Sequence, residues 1–536
     1  MMIPDELTVK NLDHLGIVAG VIDDIGIVEQ INQILGTNSR EKVSPGIIVK
    51  AMILNGLGFV SAPLYMFANF FTGIATEHLL GEGITAELIT DDRLGDVLDA
   101  LHKKGLSGIF MTIAMAAMEI FGVEKKTMHL DSTSFHVHGA YENQEEGSIE
   151  ITHGYSRDHR PDLKQFMMNM VCVGDGDIPG MMEVVSGNQS DKARFAGVIQ
   201  EVREQFDCDA LYVADAALYT EENIVEMGGT KWLTRVPLNL KVAQELVESS
   251  PAGEESSLTG YKIATVENDY GGVKQRWILV ESSARVESDR QKLDQKCETM
   301  QQKYAKQLRQ LEQQNFACVA DAEAAVAKLS GGMKWYQLTE VDVKQKGHYS
   351  KAGKPKKEDV PIRITFTVTG KIVPIAEDIA RQYRRCGRFI LGTNVLDANQ
   401  LTVDEALTTY KKQQGTERGF GFLKDPLFFA GSVFLKTASR IEALGMIMVL
   451  CLLVYNLAQR QLRQRLEELQ ATIPNQLKKT TNRPTLRWVF QCFMAVHLVS
   501  VEGTKRIVNL TKERLHILDF FPPACQRYYL LPSPIS

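Results

Sequence analysis

Between Thr127 and Val236 the chain alternates short apolar runs with helical stretches, and this interleaving restricts its possible folds more than any other feature. Thr127–Thr133, Phe166–Val173, Met181–Ser186, Ala210–Ala214 and Lys231–Val236 have strand character, while Lys192–Phe206 and Glu221–Met227 between them read as helices. Strands separated by helices form an α/β layer around a central sheet. Before Thr127 the apolar period is helical, through Ile17–Leu35, Ile47–Leu57, Leu94–Leu101 and Ile109–Phe121, with Ser44-Pro45 as a start signal and Gly36 as a stop. After Leu238 the texture changes to alternating segments (Tyr261–Thr265, Arg276–Val280, Ile362–Thr369) and a long polar helix around Ser288–Gln314. The α/β pattern resumes at Phe389–Val395, and helix dominates from there to Phe521.

These changes divide the 536 residues into a helical N-terminal domain (1–124), the first part of an α/β core (125–237), a β-rich insertion (238–388), the second part of the core (389–460) and a helical, basic C-terminal region (461–536). With 44% hydrophobic and 24% charged residues, the chain can build a large core; global disorder and a small disulfide scaffold are excluded. Eight cysteines are scattered without a CxxC pair, which points to reduced thiols in a cytosolic protein. No signal peptide is evident in MMIPDELTVKNLDHLG. The most apolar stretch, Ala443–Ala458, falls short of the about 20 residues that a bilayer span needs, so it reads as a buried helix and no membrane partner is expected.

The net charge of −6 hides an asymmetry. Residues 1–130 hold 9 Lys/Arg against 16 Asp/Glu, whereas 459–515 hold 11 against 4. A second basic stretch, 344–357, carries Lys344, Lys346, Lys351, Lys354, Lys356 and Lys357 and no acid. Such blocks are solvated faces or the footprint of a polyanion lying on one side of the molecule.

Two aspartates stand at strand ends: Asp131 in LDST and Asp215 in LYVADA. Open α/β sheets bind ligands just beyond such ends. Farther on, Tyr410, Gln413, Glu417 and Lys424 are spaced 3, 4 and 7 residues apart, the steps that keep side chains on one helix face. Gly415, Gly419 and Gly421 crowd the same segment, which implies close approach by something bulky. Five of the eleven histidines, His129, His136, His138, His153 and His159, lie close together; a zinc reading is open for them, but no second ligand pair completes a site.

LDST, HGYSRDHRPDL (153–163), GNQSD (187–191), YVADAALYT and the Tyr–Glu–Lys stripe together resemble the DDE transposases of bacterial insertion sequences, in the IS-four-like superfamily and closest to its sixteen-thirty-four group. The resemblance implies an RNase H-like α/β core interrupted by a mainly β insertion and flanked by helical regions. It implies Asp131, Asp215 and Glu417 as the catalytic, metal-holding triad, with two Mg2+ ions, or Mn2+, as cofactor. Tyr410, Gln413 and Lys424 match the family's Tyr–Arg–Glu–Lys signature, with glutamine where the family has arginine. Arg418, Arg157, Arg160, Lys354, Lys356 and Lys357 are the further DNA-contacting candidates, and Trp277 or Trp335 is the candidate base-stacking residue of the insertion. Double-stranded DNA (element ends and target), a homodimer and a bacterial cytoplasmic, nucleoid-associated location follow. The N-terminal domain would bind DNA ends or dimerise. Two other readings stand beside this one: a catalytically inactive DNA-binding descendant, and a carboxylate-based hydrolase of small substrates, which the charge blocks weigh against.

Overall fold

The computed structural model describes residues 7–59, 67–139, 141, 147–156, 160–189, 191–206, 208–251, 253–350, 360–425 and 437–532. Two compact units result: Met1–Thr234, Gly271–Val273 and Ala406–Ser536 form the first, and Arg235–Tyr270 and Lys274–Glu405 the second.

The first unit opens with strand β1 (Leu7–Asn11) and helices α1 (Leu15–Ile25), α2 (Ile27–Leu35), α3 (Pro45–Leu57), α4 (Phe67–Phe71), α5 (Thr76–Leu80), α6 (Asp91–Lys104) and α7 (Leu106–Ile120). The expected helix over Ile17–Leu35 is broken at Gly26, whose φ of 73° lets its N–H reach back to the carbonyls of Ile22 and Asp23 and close α1. The Ser44 hydroxyl accepts from the Ile47 N–H and Pro45 takes the first helical position, so the start signal of α3 works as read.

Next come the core strands β2 (Thr127–Val137), β3 (Lys164–Val173) and β4 (Ile178–Ser186), helix α8 (Asp191–Phe206), strand β5 (Leu211–Ala214), helix α9 (Glu221–Glu226) and strand β6 (Trp232–Val236). Their order across the sheet is β4-β3-β2-β5-β6. β2, β3 and β4 pair antiparallel, while β2–β5 and β5–β6 are parallel, giving a mixed sheet in an α/β architecture. β2 and β3 are buried along almost their whole length, so both faces are covered; β3 is largely apolar, whereas β2 carries the buried polar residues His129, Asp131, Ser132, Thr133 and Ser134.

In the second unit, strands β7 (Glu254–Glu255), β8 (Tyr261–Tyr270), β9 (Val273–Ser282), β10 (Tyr336–His348), β11 (Arg363–Pro374) and β12 (Arg388–Thr393) are accompanied by helices α10 (Lys241–Ser249), α11 (Ser283–Glu312), α12 (Val319–Gly331) and α13 (Ala376–Arg385). A mainly β region does not describe it, since α11 alone runs for 30 residues. β10 and β11 form an antiparallel ribbon whose inner face packs Val368 against Leu311 and Ala322 of α11 and α12. The alternating segments of the sequence correspond to β8, β9 and β11, whereas β10, which carries Lys344 and Lys346 of the basic stretch, and helices α10, α12 and α13 are not legible as such, because polar, exposed faces carry little periodic signal.

The chain then forms α14 (Val403–Lys411), α15 (Gln414–Leu423), α16 (Ala438–Glu468), β13 (Ile473–Pro474), β14 (Thr480–Thr481), α17 (Leu486–Cys492), β15 (His497–Val501), β16 (Thr504–Val508), α18 (Lys512–Leu518) and α19 (Pro523–Gln526). α16 is long and apolar enough to cross a membrane by length and composition alone, but 83% of its apolar window is buried inside the protein, where it packs on α1, α3, α6, α7 and β4. The terminal regions are not purely helical: β1 pairs antiparallel with β15, which pairs with β16. That sheet is invisible to local reading because its first strand finds its partner at the far end of the sequence. The buried ammonium of Lys50 on α3 donates to Asp23 of α1 at 2.6 Å and to the Tyr528 hydroxyl at 3.0 Å, fastening the C-terminal segment to the N-terminal helices.

Candidate active site

Strand register brings Asp131 and Asp215 together. In the parallel β2–β5 pair the last paired residues are Leu130 and Ala214, and Asp131 and Asp215 each follow that pair by one residue. Asp131 is mid-strand rather than at a strand end, since β2 continues to Val137 on its antiparallel pairing with β3. It is buried, and its Oδ1 accepts from the Ser132 N–H at 2.8 Å. Asp215 is the first residue past β5. Its Oδ1 accepts from the Ala217 N–H at 2.9 Å and its carbonyl from the Thr234 hydroxyl at 2.6 Å, which pins the turn to β6.

Glu417 arrives from a helix. It sits exposed in the first turn of α15, where the helix dipole favours a carboxylate. The crowded glycines seat that helix. A Cβ on Gly419 would lie 3.1 Å from Leu452 Cδ2 and 3.3 Å from Met170 Cε, and one on Gly415 only 2.0 Å from Asp177 Oδ1. What approaches closely at those two glycines is therefore the sheet, α16 and the β3–β4 turn. Gly421 has open space above it.

Asp131, Asp215 and Glu417 line one cavity of about 330 Å³ together with Ser132, Thr133, Gln413, Phe420, Gly421 and Lys424. Sequence reasoning did not single out Ser132, Thr133 or Phe420 as site residues, and took Gly421 only as a sign of close approach. The first two follow Asp131 directly in LDST, and Phe420 and Gly421 lie three and four residues after Glu417, one helical turn on. The Lys424 ammonium lies 5.5 Å from the Phe135 ring centroid, which stacks on Phe166.

The Tyr410–Lys424 stripe does not lie on one helix. α14 ends at Lys411 and α15 begins at Gln414, with Lys412 and Gln413 forming the turn between. Gln413 is buried and still lines the cavity, whereas half-buried Tyr410 stays on α14 and is not among the lining residues. Arg418, one of the DNA-contacting candidates, is exposed and pairs with Asp177 at 3.2 Å. Arg160 is exposed and paired with Asp162. Trp277 is buried and donates its Nε1–H to Gln275, which rules it out as a surface stacking residue in this conformation. Trp335 is half-buried at φ 64°, with the Lys296 ammonium 4.9 Å from its ring centroid. Arg157, Lys354, Lys356 and Lys357 lie outside the described residues.

The side chains at the cavity offer only oxygen donors of the carboxylate and hydroxyl kind, with the Gln413 amide, and no cysteine or histidine among them. This is the donor chemistry of magnesium or manganese. The three carboxylates share the cavity without being gathered into a cage: among the described residues no group of three His, Cys, Asp or Glu is placed to hold a metal ion. Of the five histidines that lie close together in the sequence, His159 falls outside the described residues. His136 bonds the Ser156 hydroxyl at 2.9 Å, and His129 is buried, its pKa pushed down to about 4 by burial and then by Lys412.

A solved structure of the piggyBac transposase synaptic complex with hairpin DNA aligns at 10% identity over 97% of this chain and 88% of that chain, with a TM-score of 0.35, too distant to carry an argument. A comparison with curated proteins yields no match. Residues 7–115 match a domain of unknown function, DUF4277. Residues 124–457, well over half of the chain and spanning every residue of the carboxylate cavity, match the transposase DDE domain: the chain belongs to that family.

Proposed function

We propose that this protein is a metal-dependent transposase that cleaves DNA at the ends of a bacterial insertion sequence of the IS-four-like superfamily and joins those ends to target DNA. The observation that carries the reading is the sharing of one cavity by Asp131, Asp215 and Glu417, the two aspartates each one residue beyond the last pair of the parallel β2–β5 ladder. The mixed sheet, antiparallel from β4 to β2 and parallel from β2 to β6, supports an RNase H-like core.

Asp131, Asp215 and Glu417 would hold the divalent ions, taken as two Mg2+, which supply charge stabilisation to the attacking and leaving oxygens of an in-line phosphodiester displacement. The protein's own contribution is positional. Lys424 at the C-terminal end of α15 would bind a phosphate oxygen near the scissile bond, with Phe135 beneath its ammonium. Gln413 would present amide N–H donors to the same backbone, uncharged where the family signature carries guanidinium. The helical N-terminal region would bind element ends or dimerise, and joining two ends in one event requires two active sites, hence a homodimer working on double-stranded DNA in the bacterial cytoplasm.

The test is cleavage of a duplex carrying the element's terminal repeats, with and without Mg2+ or Mn2+. Metal-dependent nicking at the repeat boundary is expected. DNA binding with no cleavage under any divalent metal would instead fit an inactive DNA-binding descendant.

A further inference from the structure

The β3–β4 turn, residues 174–177, is fastened to α16 and laid against α15. Arg460, buried on α16, holds Asp175 with bonds of 3.0 and 2.6 Å and also donates to the carbonyls of Phe121 and Gly122. Asn456, one turn earlier on the same helix, donates to the Asp177 carbonyl at 2.7 Å. Asp177, at φ 57°, directs its carboxylate at the first turn of α15, where Gly415 leaves room for it, and receives Arg418 at 3.2 Å. Arg463 lies seven residues after Asn456 and so on the same face of α16. Its Nε–H donates to the Pro484 carbonyl at 2.9 Å, next to Arg483. Lys412, in the turn just before α15, completes the group.

The charge here is lopsided. Asp175 is taken by Arg460, so Asp177 is left facing Arg418, Arg463 and Lys412, with Arg483 beside Arg463. Among the described residues, Lys412, Arg463 and Arg483 have no carboxylate within ion-pair distance. Arg463 is only half-exposed; burial, then Arg483, lowers its pKa, Arg418 adds to this, and Asp177 opposes it. Gathering guanidinium groups and partly desolvating one of them costs folding free energy unless an anion is supplied from outside. Guanidinium forks match phosphate oxygens in geometry as well as charge.

We propose that Arg418, Arg463 and Arg483, with Lys412, form a phosphodiester-binding notch that grips the DNA backbone beside the carboxylate cavity. The notch rests on the DNA reading above and adds a site to it. Asp177 is a positioning residue that aims Arg418 and sets the start of α15. Arg460, from the same basic stretch of sequence, is spent on the fold and takes no part.

The experiment uses the full chain, a short duplex of arbitrary sequence followed by fluorescence anisotropy across a salt series, and thermal melts with and without inorganic phosphate. Arg463→Met and Arg483→Met are compared with Arg465→Met, an exposed neighbour paired with Glu468. Each of the first two should weaken duplex binding about tenfold, the loss of one charge-assisted bond. Each should also lower the salt slope by roughly one, whereas Arg465→Met leaves both unchanged. Removing the uncompensated charge with Arg463→Met should raise the melting temperature in phosphate-free buffer, and phosphate should stabilise the wild type more than either notch variant. Unchanged affinity and slope in both notch variants, with the wild type binding normally, overturns the notch and leaves the transposase reading standing. A lowered melting temperature with an unchanged slope in Arg463→Met overturns it too, reducing Arg463 to a tie for Pro484. Failure of the wild type to bind duplex even at low salt overturns the DNA reading, and the melting response to phosphate then decides the anion site on its own.

Discussion

Asp131 stands within β2 and Asp215 one residue past β5, the strand parallel to it, while Glu417 stands on a ten-residue helix held by its packing. Both strands are buried; moving Asp131 means breaking sheet hydrogen bonds, and moving Asp215 means breaking the bonds from Ala217 and Thr234 that hold its turn. α15 has no such ladder. Its place depends on Gly415 against the Asp177 carboxylate and Gly419 against Met170 and Leu452, and Glu417 itself is exposed. Of the three carboxylates that line the cavity, two are therefore preset and the third is adjustable. A small movement of one helix would shift Glu417 in the cavity, a much cheaper change than shifting a strand.

The largest effects should come from removing the carboxylates themselves. Asp131→Ala, Asp215→Ala and Glu417→Ala should each reduce cleavage by roughly a hundredfold to a thousandfold or more, as expected for losing a group that organises transition-state charge, while duplex affinity is retained. The comparison sharpens with Glu417→Asp and Asp131→Glu. The adjustable helix should tolerate its one-methylene change with partial activity, most visible as a higher Mg2+ requirement. The strand position should not. Equal loss in both would mean that α15 is as rigid as the sheet.

Next in size is the seating of α15. Gly415→Ala places a methyl where the Asp177 carboxylate now lies, and overpacking of this kind costs about 1–3 kcal/mol. A lower melting temperature and impaired cleavage with near-normal DNA binding are expected. If Gly415→Ala melts and cleaves like the wild type, the close approach of turn and helix does not hold Glu417 in place.

How much of this was legible follows the same division. The strands of the core, the start of α3, the buried character of Ala443–Ala458 and both strand aspartates could be read locally, because alternation, caps and apolar runs are local signals. The break between α14 and α15 was not. Tyr410, Gln413, Glu417 and Lys424 have perfect helical spacing, and nothing in Lys412–Gln413 announces a turn. The role of Gly415 and Gly419 was half-legible: composition shows that something comes close, but only the fold shows that it is Asp177 and Met170. The β1–β15–β16 sheet and the Asp175–Arg460 clasp join residues hundreds of positions apart, and no periodic pattern carries such pairings.

A smaller effect is expected at Gln413, where the residue before the helix and the cavity meet. The side chain is buried, lines the cavity and makes no capping bond to α15. Gln413→Arg would put a guanidinium into a space already bounded by Lys424, so the gain depends on a phosphate being there to receive it. With DNA bound, the exchange of a neutral for a charge-assisted contact should tighten binding to element ends by about 1–2 kcal/mol, read as a lower Kd in a titration at fixed salt. Without DNA the same substitution should lower the melting temperature, because a larger guanidinium must enter a buried position that now holds an amide. Opposite signs in the free and bound protein would mark the position as one that faces DNA; destabilisation with no gain in affinity would place the backbone elsewhere.

The smallest effect, and the cleanest control on the seating of α15, belongs to Gly421. It lies six residues after Gly415 on the same ten-residue helix, lines the cavity, and has nothing within 4 Å of where a Cβ would stand. Alanine there removes the conformational freedom of a helical glycine without meeting a neighbour, so Gly421→Ala should raise stability by up to about 1 kcal/mol. The methyl would also enter the cavity on the helix that carries Glu417. If the DNA backbone runs over that face, the variant should melt higher yet bind duplex slightly more weakly. If it runs only along Lys424 and Gln413, stability rises and binding stays as it was. A loss of stability would mean that α15 is already strained where the structure shows open space, and the contrast between its seated end and its free end would fail.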